Sequence, residues 1–226
     1  MVAPTVRDST TAVTLGGTSV VVTKPSGVVE HDKLYLMAVT TTGPTVTPPT
    51  DFVEIATRTQ GVNIMRLYEK PATASEPANY TYGLSGTSNV EVILVAVVNA
   101  KLGLSALDVA VSVNSSGVSG STLTALGVTT SQVDCLLLAF GGIQAVSDFT
   151  SNDGLTEMED GTFTTSGYDE APSAGATGDR TFTATASNVW IAMLAAIAPI
   201  PPASDPEGQL IGGKLVGRGL LGGVLT

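Results

Sequence analysis

Apolar residues in this chain gather in short runs separated by Gly, Pro, Ser and Asn, a pattern of many strands rather than of helices. In the first half, strands are expected at 18–23, 34–42, 52–57, 62–69, 80–84 and 90–98. A Lys-Pro-Ser-Gly turn falls at 24–27, a Pro/Thr loop at 44–49 and a further connection at 71–77. The second half repeats the order at 122–129, 135–140, 181–186 and 189–197, with weak strands near Glu157 and Phe163. Segment 106–113 fits a helical turn or a strand equally well. Four runs, LYLMAV, VILVAVV, CLLLAF and WIAMLAAI, are apolar at successive positions. Such strands are covered on both faces, by loops of the same chain or by a neighbouring subunit.

Two of these runs are near copies. SNVEVILVAVVNA at 88–100 matches SNVWIAMLAAIAP at 187–199, with Asn89 and Asn188 lying 99 positions apart. The preceding segments correspond as well: Asn79 opens NYTYGLS and Arg180 opens RTFTATA, while DKLYLMA at 32–38 is answered by DCLLLAF at 134–140. The period is too long for a solenoid or propeller unit. The expected fold is all-β, a jelly-roll-like β-sandwich built from two internally related halves, each giving strands to both sheets. A Gly-rich C-terminal extension follows it. The expected division is an N-terminal arm at 1–12, the sandwich at 13–198 with halves at about 13–100 and 118–198, and a Pro-rich linker at 199–208.

Residues 209–226 read as an anchoring or oligomerising segment. Leu210, Ile211, Leu215, Val216, Leu220, Leu221, Val224 and Leu225 supply its apolar surface, and Lys214 and Arg218 its positive charge. Burying such side chains contributes roughly 1.5–3 kcal/mol each, but glycine-rich backbone costs much entropy to order. A segment of this kind is expected to order on a partner, by strand addition or by intertwining with other copies.

Composition narrows the function classes. The chain is 43% hydrophobic and only 13% charged, enough for a sizeable core. Its net charge of −10 arises wholly between Lys101 and Arg180, from Asp108, Asp134, Asp148, Asp153, Glu157, Glu159, Asp160, Asp169, Glu170 and Asp179. That field repels phosphate, so neither nucleic acid nor an anionic membrane is an expected partner. No apolar run reaches the ~20 residues of a membrane helix, and residues 1–10 show no export signal.

Candidate chemistry is sparse. His31 is the only histidine and Cys135 the only cysteine, so no cofactor and no His/Cys metal site is expected. His31 reads as a solvated turn residue and Cys135 as a buried, inert thiol. The oxygen-rich stretch from Asn152 to Asp160 departs from EF-hand spacing and reads as a solvated acidic loop rather than a calcium site. Glu157, Glu159, Asp169 and Glu170 offer carboxylate pairs for glycoside chemistry, with nothing nearby to tune them. Trp190 with Tyr35, Tyr68, Tyr80, Tyr82 and Tyr168 fits either core packing or a sugar-stacking platform. Gly16-Gly17 and Gly141-Gly142 read as turns or bulges.

The order of motifs carries a resemblance. Val22-Thr23-Lys24-Pro25-Ser26-Gly27-Val28 leads to Asp32-Lys33-Leu34-Tyr35-Leu36, then Pro48-Pro49-Thr50-Asp51-Phe52 and Leu67-Tyr68-Glu69-Lys70-Pro71-Ala72. Glu76-Pro77 with Tyr80-Thr81-Tyr82 completes the series. The chain resembles β-sandwich virion proteins of tailed bacteriophages, which carry P-x-G-V…G-D-L-L, P-x-G-W, a Y-K-x-A strand and an E-P…Y-T-F strand. It departs from them where His31-Asp32 replaces Gly-Asp, and where Thr50-Asp51-Phe52 replaces Pro-Gly-Trp. The resemblance implies a non-enzymatic structural role in the virion, as head decoration or fibre or as tail accessory. Its implied partners are other virion proteins and further copies of itself, commonly three. A carbohydrate-binding or host-adhesion module is the alternative.

Overall fold

The computed structural model describes residues 1–41 and 43–201, which form strands and turns without a helix. The extension at 209–226, with all its candidate contact residues, lies outside the described residues. The first half contains β1 (Thr5–Thr23), β2 (Lys33–Thr41), β3 (Val46–Thr47), β4 (Val53–Gln60), β5 (Asn63–Pro71) and β6 (Asn79–Val98). These make one antiparallel sheet in the order β1-β6-β2-β5-β4, with β3 also on β6. The second half contains β7 (Ser112–Ala125), β8 (Thr129–Thr130), β9 (Cys135–Ile143), β10 (Phe149–Ser151), β11 (Thr156–Asp160), β12 (Thr164–Ala171), β13 (Gly175–Ala176) and β14 (Arg180–Ile197). Its sheet runs β7-β14-β9-β12-β11 with β10 on β14, the same topology strand for strand, while β8 and β13 form a separate small ribbon.

The fold is therefore the expected β-sandwich of two related halves. The distribution of strands differs from the expectation: each half makes one whole sheet instead of contributing to both. Among the described residues, only β4–β5, a hairpin closed at Gly61, and β11–β12 join neighbours in sequence; the other pairings, such as β1–β6 and β7–β14, close long loops within each half.

Side-chain alternation explains the uninterrupted apolar runs. Tyr35, Met37 and Val39 of β2 and Ile93, Val95 and Val97 of β6 point into the core between the sheets. Leu34, Leu36, Ala38, Val92, Leu94 and Ala96, on the opposite faces of the same strands, enter a second core. That second core is roofed by the chain itself. The ribbon of β1 and β6 bends, and its far end (19–23 paired with 79–83, joined by β3) lays Val20, Val22, Tyr80 and Tyr82 over the outer face. In the second half β7, β14 and β10 build the same roof, with Leu123 and Phe182 above Gly141. The two-sided strands thus find their second cover within the chain.

The bend coincides with the repeated Ser-Asn. Asn89 Oδ1 accepts the Gly16 N–H at 2.9 Å, Gly16 has a φ of 65°, and the pairing slips around Gly17. In the second half the slip brackets Asn188. Because the slip is a bulge rather than a break, the strands expected at 80–84 and 90–98 are one strand, β6, and those at 181–186 and 189–197 are β14. The proposed arm at 1–12 is also largely strand: Thr5–Ala12 of β1 pair with β6 along the sheet edge, where β-branched Thr5, Val6, Thr10 and Thr11 favour extended backbone. Segment 106–113 is not helical, and Leu107 bridges Ile197. Pro199 and Ile200, expected in the linker, bridge Ala100 and Val2 and belong to the body. Gly141 and Gly142 are not turn residues but lie inside β9, where a Cβ on Gly142 would come within 2.9 Å of a Val39 methyl on the facing sheet.

Polar links close the sandwich at its edges. Ser115 on β7 accepts from Arg58 Nε at 2.9 Å and donates to Gln60 on β4, and Ser9 on β1 donates to Glu159 on β11 at 2.7 Å. Glu91 makes the deepest crossing. Buried to 1% exposure, it accepts the N–H groups of Thr162 and Phe163 in the other half, both at 2.8 Å. Replacing it strands two donors in a dry place. Glu91→Ala is expected to lower stability by about 2–4 kcal/mol, read from urea unfolding; a change within experimental error would mean that the loop finds other acceptors.

Candidate functional site

The resemblance motifs, scattered through the first half of the sequence, converge at one corner of the fold. Phe52 N–H reaches Pro49 O at 3.3 Å, closing a turn in which Asp51 takes a φ of 68°. His31 has a φ of 75°, and its N–H donates to Ala72 O at 3.1 Å. Both residues stand where the phage pattern carries glycine, and both adopt the left-handed backbone that glycine accepts without cost. Phe52, in the place of the pattern's Trp, is buried edge-on against Tyr80 with ring centroids 5.5 Å apart.

Buried charges lock this corner. Arg7 binds Asp32 through two hydrogen bonds, at 2.7 and 3.0 Å, and Asp32 also accepts the Val29 N–H. Lys70 Nζ lies 2.7 Å from Glu76 Oε2 and rides over the rings of Phe52 and Tyr80. Glu76 further accepts the Tyr80 hydroxyl at 2.6 Å and both the N–H and hydroxyl of Thr73. Burial pushes the Glu76 carboxyl up, but the hydrogen bonds from Lys70, Tyr80 and Thr73 together outweigh it and bring the pKa down to about 2. Next to this group, Lys33 donates to Gly103 O at 2.5 Å and faces Glu69, which also accepts from Tyr35 and the Ala106 N–H. Burial lowers the Lys33 pKa, with Glu69 opposing, and raises that of Tyr35.

Over the Lys70–Glu76 pair lies an open cleft of about 520 Å³, between the Pro48–Asp51 turn and the β5–β6 connection. Its rim carries Thr50, Asp51, Ser75, Asn79 and Thr81, a polar set with hydroxyl, carboxylate and amide groups. The second half has a smaller counterpart of about 180 Å³ beside Glu170 and Arg180, with an Arg180–Asp169 pair at 2.6 Å in place of Lys70–Glu76.

The other sequence candidates stay apart from this corner. Cys135 is buried, its thiol near Gln132 O, and burial with the Asp108 charge pushes its pKa up to about 11. The acidic residues are directed to separate donors: Asp153 to the Thr181 hydroxyl, Glu159 to Ser9, Asp160 to the Phe149 N–H and Asp169 to Arg180. Among the described residues no group of three or more His, Cys, Asp or Glu is placed to hold a metal ion. Tyr35, Tyr68, Tyr80, Tyr82 and Trp190 are buried and pack the cores, so no exposed platform forms from them. Glu91, the counterpart of Trp190 in the repeat, is buried with its two N–H donors. Sequence reasoning missed the buried charges, although Lys33 and Glu91 each interrupt or abut an apolar run, which was their one visible signal. Comparison with protein-family models, curated proteins and solved structures yields no match to this chain.

Two measurements test this corner. The folded Glu76 pKa lies below its ordinary 4.5, so its contribution is complete above that pH and is lost as pH falls toward 2. Glu76→Gln should therefore remove on the order of 2–3 kcal/mol at neutral pH, with wild-type and variant stabilities converging near pH 2; parallel curves would discount the ion pair. His31→Gly should raise stability by about 0.5–1 kcal/mol, relief of the left-handed backbone exceeding the added freedom of the unfolded chain. A loss in a thermal or urea melt would show that the imidazole makes a needed contact.

Proposed function

We propose that this chain is a non-enzymatic structural protein of a tailed-phage particle, a surface β-sandwich serving as head decoration, fibre or tail accessory. It is attached and oligomerised through its terminal segments, with other virion proteins and further copies of itself as partners. The observation that carries this reading is the pair of positive-φ residues, His31 and Asp51, at the positions where the phage pattern has glycine. At both positions the backbone takes the left-handed conformation that a glycine favours. The motif residues are spent on packing and on ion pairs that lock turns together, the work expected of a rigid structural module. The acids of the second half support an outward role: Asp148, Asp153, Glu157, Asp160, Glu170 and Asp179 are exposed, and burying them against a partner would require matching cations.

The polar cleft above Lys70 and Glu76 favours a second reading, host adhesion through a glycan. Its volume accommodates a small saccharide, and hydroxyl, carboxylate and amide groups line it.

Quantitative mass spectrometry of purified particles tests the proposal. The chain is expected in hundreds of copies per particle as decoration, or in a handful as tail accessory, and its absence from particles overturns the virion role. Glycan-array binding that Asp51→Ala abolishes would move the assignment to adhesion.

A further inference from the structure

A second cleft opens on the other side of the same corner. It measures about 360 Å³ and lies between Val53, Pro71 and Leu104, with Asp51 at its lip. Leu104 is 90% exposed and Val53 63%, in a fold whose other large aliphatic side chains are mostly enclosed. Buried beneath it is Glu69, whose Oε2 has no hydrogen-bond donor among the described residues. Lys70 also lines the cleft, but its ammonium is taken up by Glu76, so an apolar wall with carboxylates at lip and floor suits a partner that is aliphatic and basic together.

The body of the chain ends beside this cleft. Ile200 N–H donates to Asn99 O and Lys101 N–H to Ala198 O, which ties the last strand residues to the 99–106 loop that carries Leu104. Beyond Pro201 the sequence runs on for 25 residues to Thr226, first Pro-rich and then aliphatic. Lys214 and Arg218 are its only cations, set among Leu210, Ile211, Leu215, Val216, Leu220 and Leu221. The linker from 201 to 210 reaches up to about 30 Å when extended, and prolines at 201, 202 and 206 favour extension.

We propose that this cleft is the seat of segment 209–226 donated by a neighbouring copy, its leucines covering Leu104 and Val53 and Lys214 or Arg218 pairing with Asp51. The proposal rests on the C-terminal segment being the oligomerising element, and it names the surface on which that segment lands. A reach of that order lets the segment land on the next copy's cleft.

The test uses the full chain with the photo-crosslinker benzoylphenylalanine in place of Leu104, prepared as an equal mixture of isotopically light and heavy protein. Crosslinks are expected within 209–226, half of them joining light to heavy chains. Adding Lys214→Ala and Arg218→Ala should cut their yield about tenfold, the loss of one charge-assisted contact. Crosslinks that map elsewhere, that never join light to heavy, or whose yield is indifferent to the two cations overturn the proposal. Sedimentation of the same protein separates the two ideas. An oligomer with crosslinks outside 209–226 refutes the seat alone, whereas a monomer at every concentration refutes the oligomerising role from which it starts.

Discussion

Burial of the central strands on both faces is the constraint on which the rest of this structure depends. A strand such as β2 sends Tyr35, Met37 and Val39 to one core and Leu34, Leu36 and Ala38 to another. A sheet made of such strands cannot stop at a single partner layer without leaving a wide apolar face in water. The long ribbons β1–β6 and β7–β14 answer this by bending back over their own sheets. Four layers result from two repeats: a roof, two sheets in contact and a second roof. The bulges at Gly17 and around Asn188, the aromatic pair Tyr68–Tyr82 and the small residues Gly141 and Gly142 all serve this closure.

Dense apolar layers leave the ends of the sandwich as the places where polar groups must be satisfied, and there the chain uses charge. Arg7–Asp32 and Lys70–Glu76 each tie a strand to a loop, while Lys33–Glu69 and Arg180–Asp169 join strand ends whose cations also hold the loop carbonyls of Gly103 and Thr177. Buried pairs of this type add little net stability compared with apolar packing, yet removing one partner is costly. Their effect is to fix loop conformation. The cleft rims around Asp51 and Leu104 therefore stand on a rigid base, which suits recognition by preformed surfaces.

Much of the fold was legible in the sequence because it rests on periodicity and repetition. The two Ser-Asn-Val segments took equivalent places, β6 between β1 and β2 and β14 between β7 and β9. What escaped were features that depend on long-range pairing. Thr5–Ala12 looked like an arm because edge strands carry little hydrophobic signal, and the Ser-Gly-Thr-Ser stretch before Asn89 looked like a strand end because a bulge uses the same residues as a turn. The distribution of halves between sheets could not be read at all, since either arrangement buries the same runs. At the site, the motif residues were visible but not their convergence. Nothing local to Lys70 announces that Glu76, Tyr80 and Phe52 enclose it.

One half per sheet has an electrical consequence. Residues 1–101 hold eight acids and seven bases, whereas residues 102–201 hold ten acids and a single base, Arg180. Had the halves interleaved their strands, that imbalance would have been mixed through both layers. Kept apart, it makes the molecule a charged plate with a nearly neutral front and a strongly negative back, and so gives it a dipole across its thin dimension. Copies crowded side by side would repel through their backs and not through their fronts. Such a sheet of molecules favours curvature that spreads the negative faces apart, as on the outside of a closed shell.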